Sequence, residues 1–371
     1  MSCARRSTSL PKRTGMGLAG RLSALTRDAL LRRLSRLARR AAARALWATA
    51  WWGLGAWAPS PCAQERPAIP EDTLVTLRAQ QVLVPFTVTD RLNRPVTELA
   101  ADDVKLFEDN IEQEIVALRR APSLPVTVVI ALDCSGSMAR RLPLAKRATL
   151  AFLERLLRLP QDRAALIACQ QDLLLAQPLT GELAAFRQSL ATLDERLPTP
   201  LGRVSPFEPA KAAPPGTALY AAIYAAIDLL ATGGGEDGRR RIVVVVSDGF
   251  DSEGIIRAGE VIERAWRSGA SIYALGIGQP DLTAADASQT VNRTELERLC
   301  ASTGGQAFFP RLDREFFTAF DQIDTDLRQC FVLAYTPTSE SAAFRAIRIE
   351  VPRHPDWKTR HRAGYYANPS E

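Results

Sequence analysis

The chain has 371 residues, 46% hydrophobic and 24% charged. That composition excludes a wholly disordered or fibrous polymer and leaves room for one large α/β domain plus a smaller one. The formal net charge of +6 is unevenly placed: residues 1–63 hold twelve Arg/Lys against Asp28 alone, and the remainder is net negative by five. The basic balance therefore belongs to the leader and gives no ground for nucleic-acid binding by the folded part.

Within residues 1–63, Ala45 to Ala58 is an uncharged apolar run of 14 preceded by the arginines of Arg32 to Arg44. It is short for a membrane span and suits the apolar core of a signal peptide. Ser60-Pro61-Cys62-Ala63 followed by Gln64 marks a small-residue cleavage region, although Pro61 at −3 is not ideal. Two further readings stay open: an uncleaved membrane anchor, and a basic amphipathic helix over Arg21 to Arg44 lying on a membrane surface. Arg39-Arg40 is a poor twin-arginine match, and Pro-Ser-Pro before Cys62 is no lipobox. The expected mature chain starts near Gln64 and is periplasmic or secreted, with membrane contact only through an uncleaved leader.

Residues 64–72 read as a polar linker. Residues 73–120 then show β alternation without helical period. Val82, Val84, Phe86 and Val88 share one face, and Pro85 hints at an edge or bulge. Val104, Leu106 and Phe107 lead to a turn at Asp109-Asn110, and Ile111 to Leu118 returns as a strand. This half is too small to hold a core. Strands at Cys330 to Tyr335, Phe344 to Val351 and Thr359 to Tyr366 offer its completion. Residues 73–120 and 330–366 are therefore expected to form one β-sandwich with residues 124–329 inserted between them. The alternative is a hairpin extension that only lengthens the main sheet.

Residues 124–329 alternate between strand and helix. Val126 to Leu132 is a strand without polar alternation, as expected for one buried on both faces. Helices are expected over Leu142–Leu157, Leu183–Leu193, Thr217–Leu230, Arg257–Trp266, Arg293–Cys300 and Arg314–Arg328. Strands are expected over Ala164–Cys169, Arg241–Val246 and Ser271–Ile277, with an antiparallel return over Asp172–Pro178. Such alternation makes a doubly wound, mostly parallel sheet, whose ligand sites lie at the carboxyl ends of the strands. Between helices, the Pro-rich stretch Leu197 to Gly216 leads to Thr217 and is either part of a binding face or a spacer.

The first of these strands ends in Asp133-Cys134-Ser135-Gly136-Ser137, which offers oxygen ligands of the kind hard divalent cations take. Gly136 lets the loop turn so that both hydroxyls can face one point. On its own the pentapeptide also reads as a plain Ser/Gly turn. Pro215-Gly216-Thr217 opening a helix, and Val243-Val244-Val245-Val246-Ser247-Asp248-Gly249 repeating the strand-then-acid pattern, add a second and a third loop.

Together the three segments resemble the von Willebrand factor type A (VWFA) domain, over roughly Leu124 to Tyr335. The resemblance implies a metal-ion-dependent adhesion site made by Asp133, Ser135, Ser137, Thr217 and Asp248, with a divalent cation, Mg²⁺ before Mn²⁺ or Ca²⁺. It implies a binding module rather than an enzyme, in which the cation bridges to an Asp or Glu of a partner protein. The flanking phrases FTVTDRLNRPV and RHRAGYYA resemble a bacterial secreted group of VWFA-related proteins. The alternatives are a structural envelope component whose metal site only supports folding, and a hydrolase.

Enzyme signatures fail on particular residues. Ser135 stands where a haloacid-dehalogenase phosphatase needs a second Asp, and no Gly-x-Ser-x-Gly elbow surrounds it. The two histidines, His354 and His361, fall in the late β region. Thr232-Gly233-Gly234-Gly235 follows a helix and lacks the lysine of a phosphate loop. Asp251 and Glu253 supply either a second cation or merely a solvated loop. Cys134, Cys169, Cys300 and Cys330 remain after the leader; they are either small buried hydrophobes or, for Cys300–Cys330, a disulfide.

Overall fold

The computed structural model describes residues 81–170, 172–196, 217–233, 238–278, 291–338 and 343–367. The leader, the linker and the Pro-rich stretch Leu197–Gly216 lie outside the described residues.

Residues 124–329 contain a six-stranded sheet in the order β10-β9-β8-β5-β6-β7. The strands are β5 (Val126–Asp133), β6 (Arg163–Cys169), β7 (Leu173–Thr180), β8 (Arg240–Ser247), β9 (Ala270–Gly276) and β10 (Ala307–Phe308). Only β7 runs antiparallel, along β6. All eight residues of β5 are buried, as its unbroken apolar run requires. Val128, Ile130 and Leu132 face one layer of helices: α1 (Leu142–Leu156), α2 (Leu183–Ala191) and α7 (Asp313–Arg328). Val129 and Ala131 face the other layer: α4 (Leu219–Gly233), α5 (Ala258–Ser268) and α6 (Arg293–Thr303). Each fully buried Val or Ile contributes about 1.5–3 kcal/mol. Phe152 of α1 stacks on Phe320 of α7 with ring centroids 4.8 Å apart.

The β5 crossover leads to β6 on one side, and the β8 crossover leads to β9 on the other. The carboxyl ends of β5 and β8 thus flank the point where the strand order reverses, the place where doubly wound sheets open a crevice.

The remaining strands form two antiparallel sheets of their own, so the hairpin-extension alternative does not hold. These strands are β1 (Val82–Thr89), β2 (Lys105–Glu108), β3 (Ile111–Gln113), β4 (Ile115–Arg120), β11 (Phe331–Tyr335), β12 (Phe344–Glu350), β13 (Lys358–Arg360) and β14 (Gly364–Tyr366). The sheet orders are β13-β1-β11-β4 and β14-β12-β2-β3, so each sheet mixes strands from both ends of the chain. Their inner faces share a core of Val84, Phe86, Leu106, Leu333, Ile347 and Tyr365. The chain leaves this sandwich after β4 and returns at β11, and Ala121 N donates to Cys330 O at 3.0 Å where the two passages meet.

Some expectations need correction. Ile111 to Leu118 is not one strand: it breaks at Glu114, and β3 and β4 belong to opposite sheets. Thr359 to Tyr366 likewise splits into β13 and β14, again in opposite sheets. At that break His361 is held by Ile349 N, which donates to its Nε2 at 3.2 Å, and Ala363 N donates to Ser302 O. In both places a short polar stretch turns the corner between the two sheets. The helix expected over Leu183–Leu193 stops at Ala191 and resumes as the short α3 (Leu193–Arg196). The four cysteines are buried and unbridged. Cys300 lies on the buried face of α6, while Cys330 sits at the passage between the two parts.

Candidate metal centre

Asp133 ends β5 with its side chain fully buried. Its Oδ1 accepts from Ser135 N at 2.8 Å, and its Oδ2 accepts from Ser247 Oγ at 2.6 Å. The first contact folds the Ser135–Ser137 loop back over the strand end. The second ties β5 to β8. Ser135 Oγ lies 3.0 Å from Ser137 Oγ, and Ser137 Oγ donates to Asp248 Oδ2 at 2.6 Å. The other oxygen of Asp248 accepts from Phe250 N at 3.1 Å, and its carbonyl accepts from Asn292 N at 2.8 Å.

The turn after Asp248 depends on Gly249. Its φ is +84°, and a Cβ there would lie 2.9 Å from Leu296 Cγ. Only glycine takes that conformation in that space at little cost. Gly249 N donates to Ser247 Oγ at 3.0 Å, so the hydroxyl that supports Asp133 is itself oriented by the backbone.

Thr217 is buried just ahead of α4. Its N donates to Ser252 Oγ at 2.6 Å, and its carbonyl accepts from Ser252 N at 3.0 Å. Ala218 N donates to Gln170 O, and Gln170 Nε2 donates to Cys134 O at 2.7 Å. The three loops are thus cross-tied by side chains that the motif does not contain: Ser247, Ser252 and Gln170. Ser247 precedes Asp248 directly and could have been read as a support. Gln170 and Ser252 carry no such signal.

Asp251 is not simply a solvated loop acid. Its Oδ1 accepts from Tyr220 N at 3.1 Å and its Oδ2 from Gly254 N at 3.0 Å. It therefore caps the first turn of α4 and closes its own loop. Burial raises its pKa against those hydrogen bonds.

The electrostatics of the edge are one-sided. Burial pushes the Asp133 carboxyl up to about 6, against the hydrogen bonds from Ser247 and Ser135, and neighbouring Asp248 raises it further. Burial also raises Asp248, opposed by the Ser137 hydroxyl. Neither acid forms an ion pair among the described residues. Two adjoining carboxylates without a cationic partner are what a bound cation would neutralise. The donors fit a small hard ion, since neighbouring ligands of an octahedral ion at about 2.1 Å stand about 3 Å apart. The two serine hydroxyls have that spacing. Among the described residues no three His, Cys, Asp or Glu side chains converge, so a cation here would rest on hydroxyls as much as on acids.

Residues 128–250 match the family model of the von Willebrand factor type A domain. The chain thus carries a VWFA domain over residues 128–250, about a third of its length, set in a mixed, mostly parallel sheet. No curated protein matches it. Among solved structures it is similar to BatB, a conserved hypothetical protein from Bacteroides thetaiotaomicron, with 22% identity over 54% of this chain and 97% of that one and a TM-score of 0.40. It is also similar to a von Willebrand factor type A protein from Catenulispora acidiphila, with 16% identity, 67% and 50% coverage and a TM-score of 0.41. A third is proximal thread matrix protein 1 of the mussel byssus, in a form with a zinc-occupied MIDAS motif, with 13% identity, 56% and 49% coverage and a TM-score of 0.42.

Proposed function

We propose that this chain is a cation-dependent protein-binding module of the cell envelope or exterior, acting by contact rather than by catalysis. The carrying observation is the run Ser135 Oγ, Ser137 Oγ, Asp248 Oδ2 beside a buried Asp133, with no cationic side chain paired to either acid among the described residues. Ser135, Ser137 and Asp248 would hold a Mg²⁺ ion, with Thr217 as the ligand from the α4 loop. Asp133 would act through its charge and by fixing the loop. A bound ion supplies an electrophilic position that accepts a carboxylate oxygen from an Asp or Glu of a partner.

A binding role is supported by what surrounds the edge. His361 is partly buried in the sandwich with its pKa lowered by that burial, and His354 stacks on Trp357 at 3.8 Å between ring centroids. Neither histidine lies at the strand ends, so neither is placed to serve as a base there. Burial holds the Cys134 thiol protonated. The exported location rests on the 14-residue apolar run in the leader. No described helix is long and apolar enough to cross a membrane.

The test is thermal unfolding with Mg²⁺ and with chelator, paired with capture from envelope extract under both conditions. The expected result is a Mg²⁺-dependent rise in Tm and capture that chelator abolishes. Identical unfolding and identical capture in both conditions would overturn the reading.

A further inference from the structure

The metal edge does not end at Ser135. The same residue lines one wall of a cavity of about 460 Å³ that runs away from the strand ends along the first two turns of α1. Ala139 and Leu142 make its apolar floor, and Lys146 and Arg147 of α1 with Asp194 of α3 supply its charged groups, two basic and one acidic. Lys146 Nζ meets Asp194 Oδ2 at 2.9 Å, while Arg147 is exposed and forms no ion pair among the described residues. The first turn of α1 carries no acid, so the positive end of its dipole is uncompensated on this side.

We propose that this groove is the second half of the binding face. It would seat the stretch of a partner protein that follows its metal-bound carboxylate, an extended segment of the form acid, then apolar residue, then acid. The proposal rests on the cation reading above and goes beyond it by naming the partner's sequence chemistry. The first acid engages the cation at Ser135 and Ser137. The apolar side chain fills the floor against Ala139 and Leu142. The second acid pairs with Arg147 and competes with Asp194 for Lys146. Charge favours that occupant: with Asp133 and Asp248 neutralised by the cation, a basic segment in the groove would meet Arg147, Lys146 and the α1 dipole against Asp194.

The experiment selects a random nine-residue phage-displayed library on the full chain, in Mg²⁺ and in chelator. It uses wild type, Ala139→Trp, which fills the floor, and Arg147→Glu, which reverses the exposed rim charge. The Mg²⁺-induced Tm shift of each protein is measured in parallel. The expected outcome in Mg²⁺ is enrichment of acid–apolar–acid peptides on wild type. Loss of the apolar preference with Ala139→Trp, and about tenfold weaker binding of one enriched peptide with Arg147→Glu, would support the groove. Mg²⁺-dependent peptides that carry an acid but no apolar neighbour, and bind both variants as well as wild type, would overturn it while leaving the cation reading intact. Peptides selected equally in chelator, with no Tm shift, would overturn the cation reading and the groove with it. Absence of enrichment, or a dimer by light scattering that buries the groove against a second copy, would also overturn it. Arg147 is an exposed helical position, so that arm stands even if Ala139→Trp perturbs the loop.

Discussion

Ser137 Oγ donates to Asp248 Oδ2 at 2.6 Å, joining the first candidate loop to the third across 111 positions of sequence. A hydroxyl that gives its hydrogen to a carboxylate keeps its lone pairs free, so the contact orients Ser137 to offer oxygen to a cation while Asp248 supplies charge beside it. Asp248→Asn keeps a side-chain oxygen but removes one of the two charges. The expected result is a folded protein by circular dichroism that no longer gains stability from Mg²⁺. Wild type should gain about 2–3 kcal/mol at a hundredfold excess over Kd. Equal shifts in both proteins would remove Asp248 from the site.

Asp133 gives a prediction with a definite sign. Its folded pKa of about 6 lies above the ordinary 3.8. Between those values the folded chain binds more protons than the unfolded one. Stability from this group is therefore full below about 3.8 and is lost as pH rises through 6. Two pH units correspond to about 3 kcal/mol, less about 1 kcal/mol for the weakened hydrogen bonds in the amide. In chelator, Asp133→Asn should thus be more stable than wild type at pH 7.5, with the difference vanishing towards pH 4. In saturating Mg²⁺ the order should reverse. A mutant less stable than wild type at pH 7.5 in chelator would contradict the burial argument. Urea unfolding at four pH values measures it.

The candidate site was partly legible in the sequence because its residues sit at strand ends. Asp133 and Asp248 each follow an unbroken apolar run, and such runs announce both the strand and its edge. What holds these side chains in place was hidden. Ser247 continues its strand without a break, and Gln170 reaches Cys134 O across neighbouring strands. Asp251 looked like a loop acid because nothing in sequence shows which backbone N–H groups a carboxylate will cap. The sandwich was visible in the alternation of Val82 to Val88 and Phe344 to Val351. The corners were not. Ile111–Leu118 and Thr359–Tyr366 keep β composition through breaks where the chain changes sheets, and alternation cannot show which sheet a residue joins.

The sandwich core holds a polar cluster drawn from both ends of the chain. Tyr335 and Tyr365 hydroxyls both donate to Glu108 Oε2, the second at 2.9 Å, and Arg345 Nη1 approaches Glu108 Oε1 at 3.5 Å. All four side chains are buried. Hydrogen bonds to a charged acceptor contribute about 1.5–3 kcal/mol. Tyr335→Phe should therefore lower stability by about that amount without altering the Mg²⁺ shift. Tyr366→Phe is the control, since the chief contact of Tyr366 is Arg267 stacked 3.8 Å from its ring centroid; it should be near neutral. Equal losses in the two mutants would show that the cluster is not what holds the sandwich together.

The last prediction concerns how the sandwich is locked to the α/β part, and it turns on two glycines. Gly269 and Gly304 end α5 and α6, with φ of +68° and +84°. Both would strain an alanine by about 1–2 kcal/mol through the left-handed backbone alone. They differ in what lies beyond. A Cβ on Gly269 would meet only Arg362 Nη1 at 3.6 Å, the end of a flexible side chain. A Cβ on Gly304 would fall 2.6 Å from Arg362 N and 2.7 Å from His361 C. That is backbone at the sandwich corner, held in place by Ala363 N donating to Ser302 O. Relief there requires moving the β13–β14 corner off α6, which loosens the packing of Trp266 on Phe344 at 4.3 Å between ring centroids. Gly304→Ala should therefore lose clearly more stability than Gly269→Ala. Hydrogen exchange should quicken at residues 358–366 in Gly304→Ala alone. Matching losses and matching exchange in both mutants would mean that the corner is not seated on the end of α6.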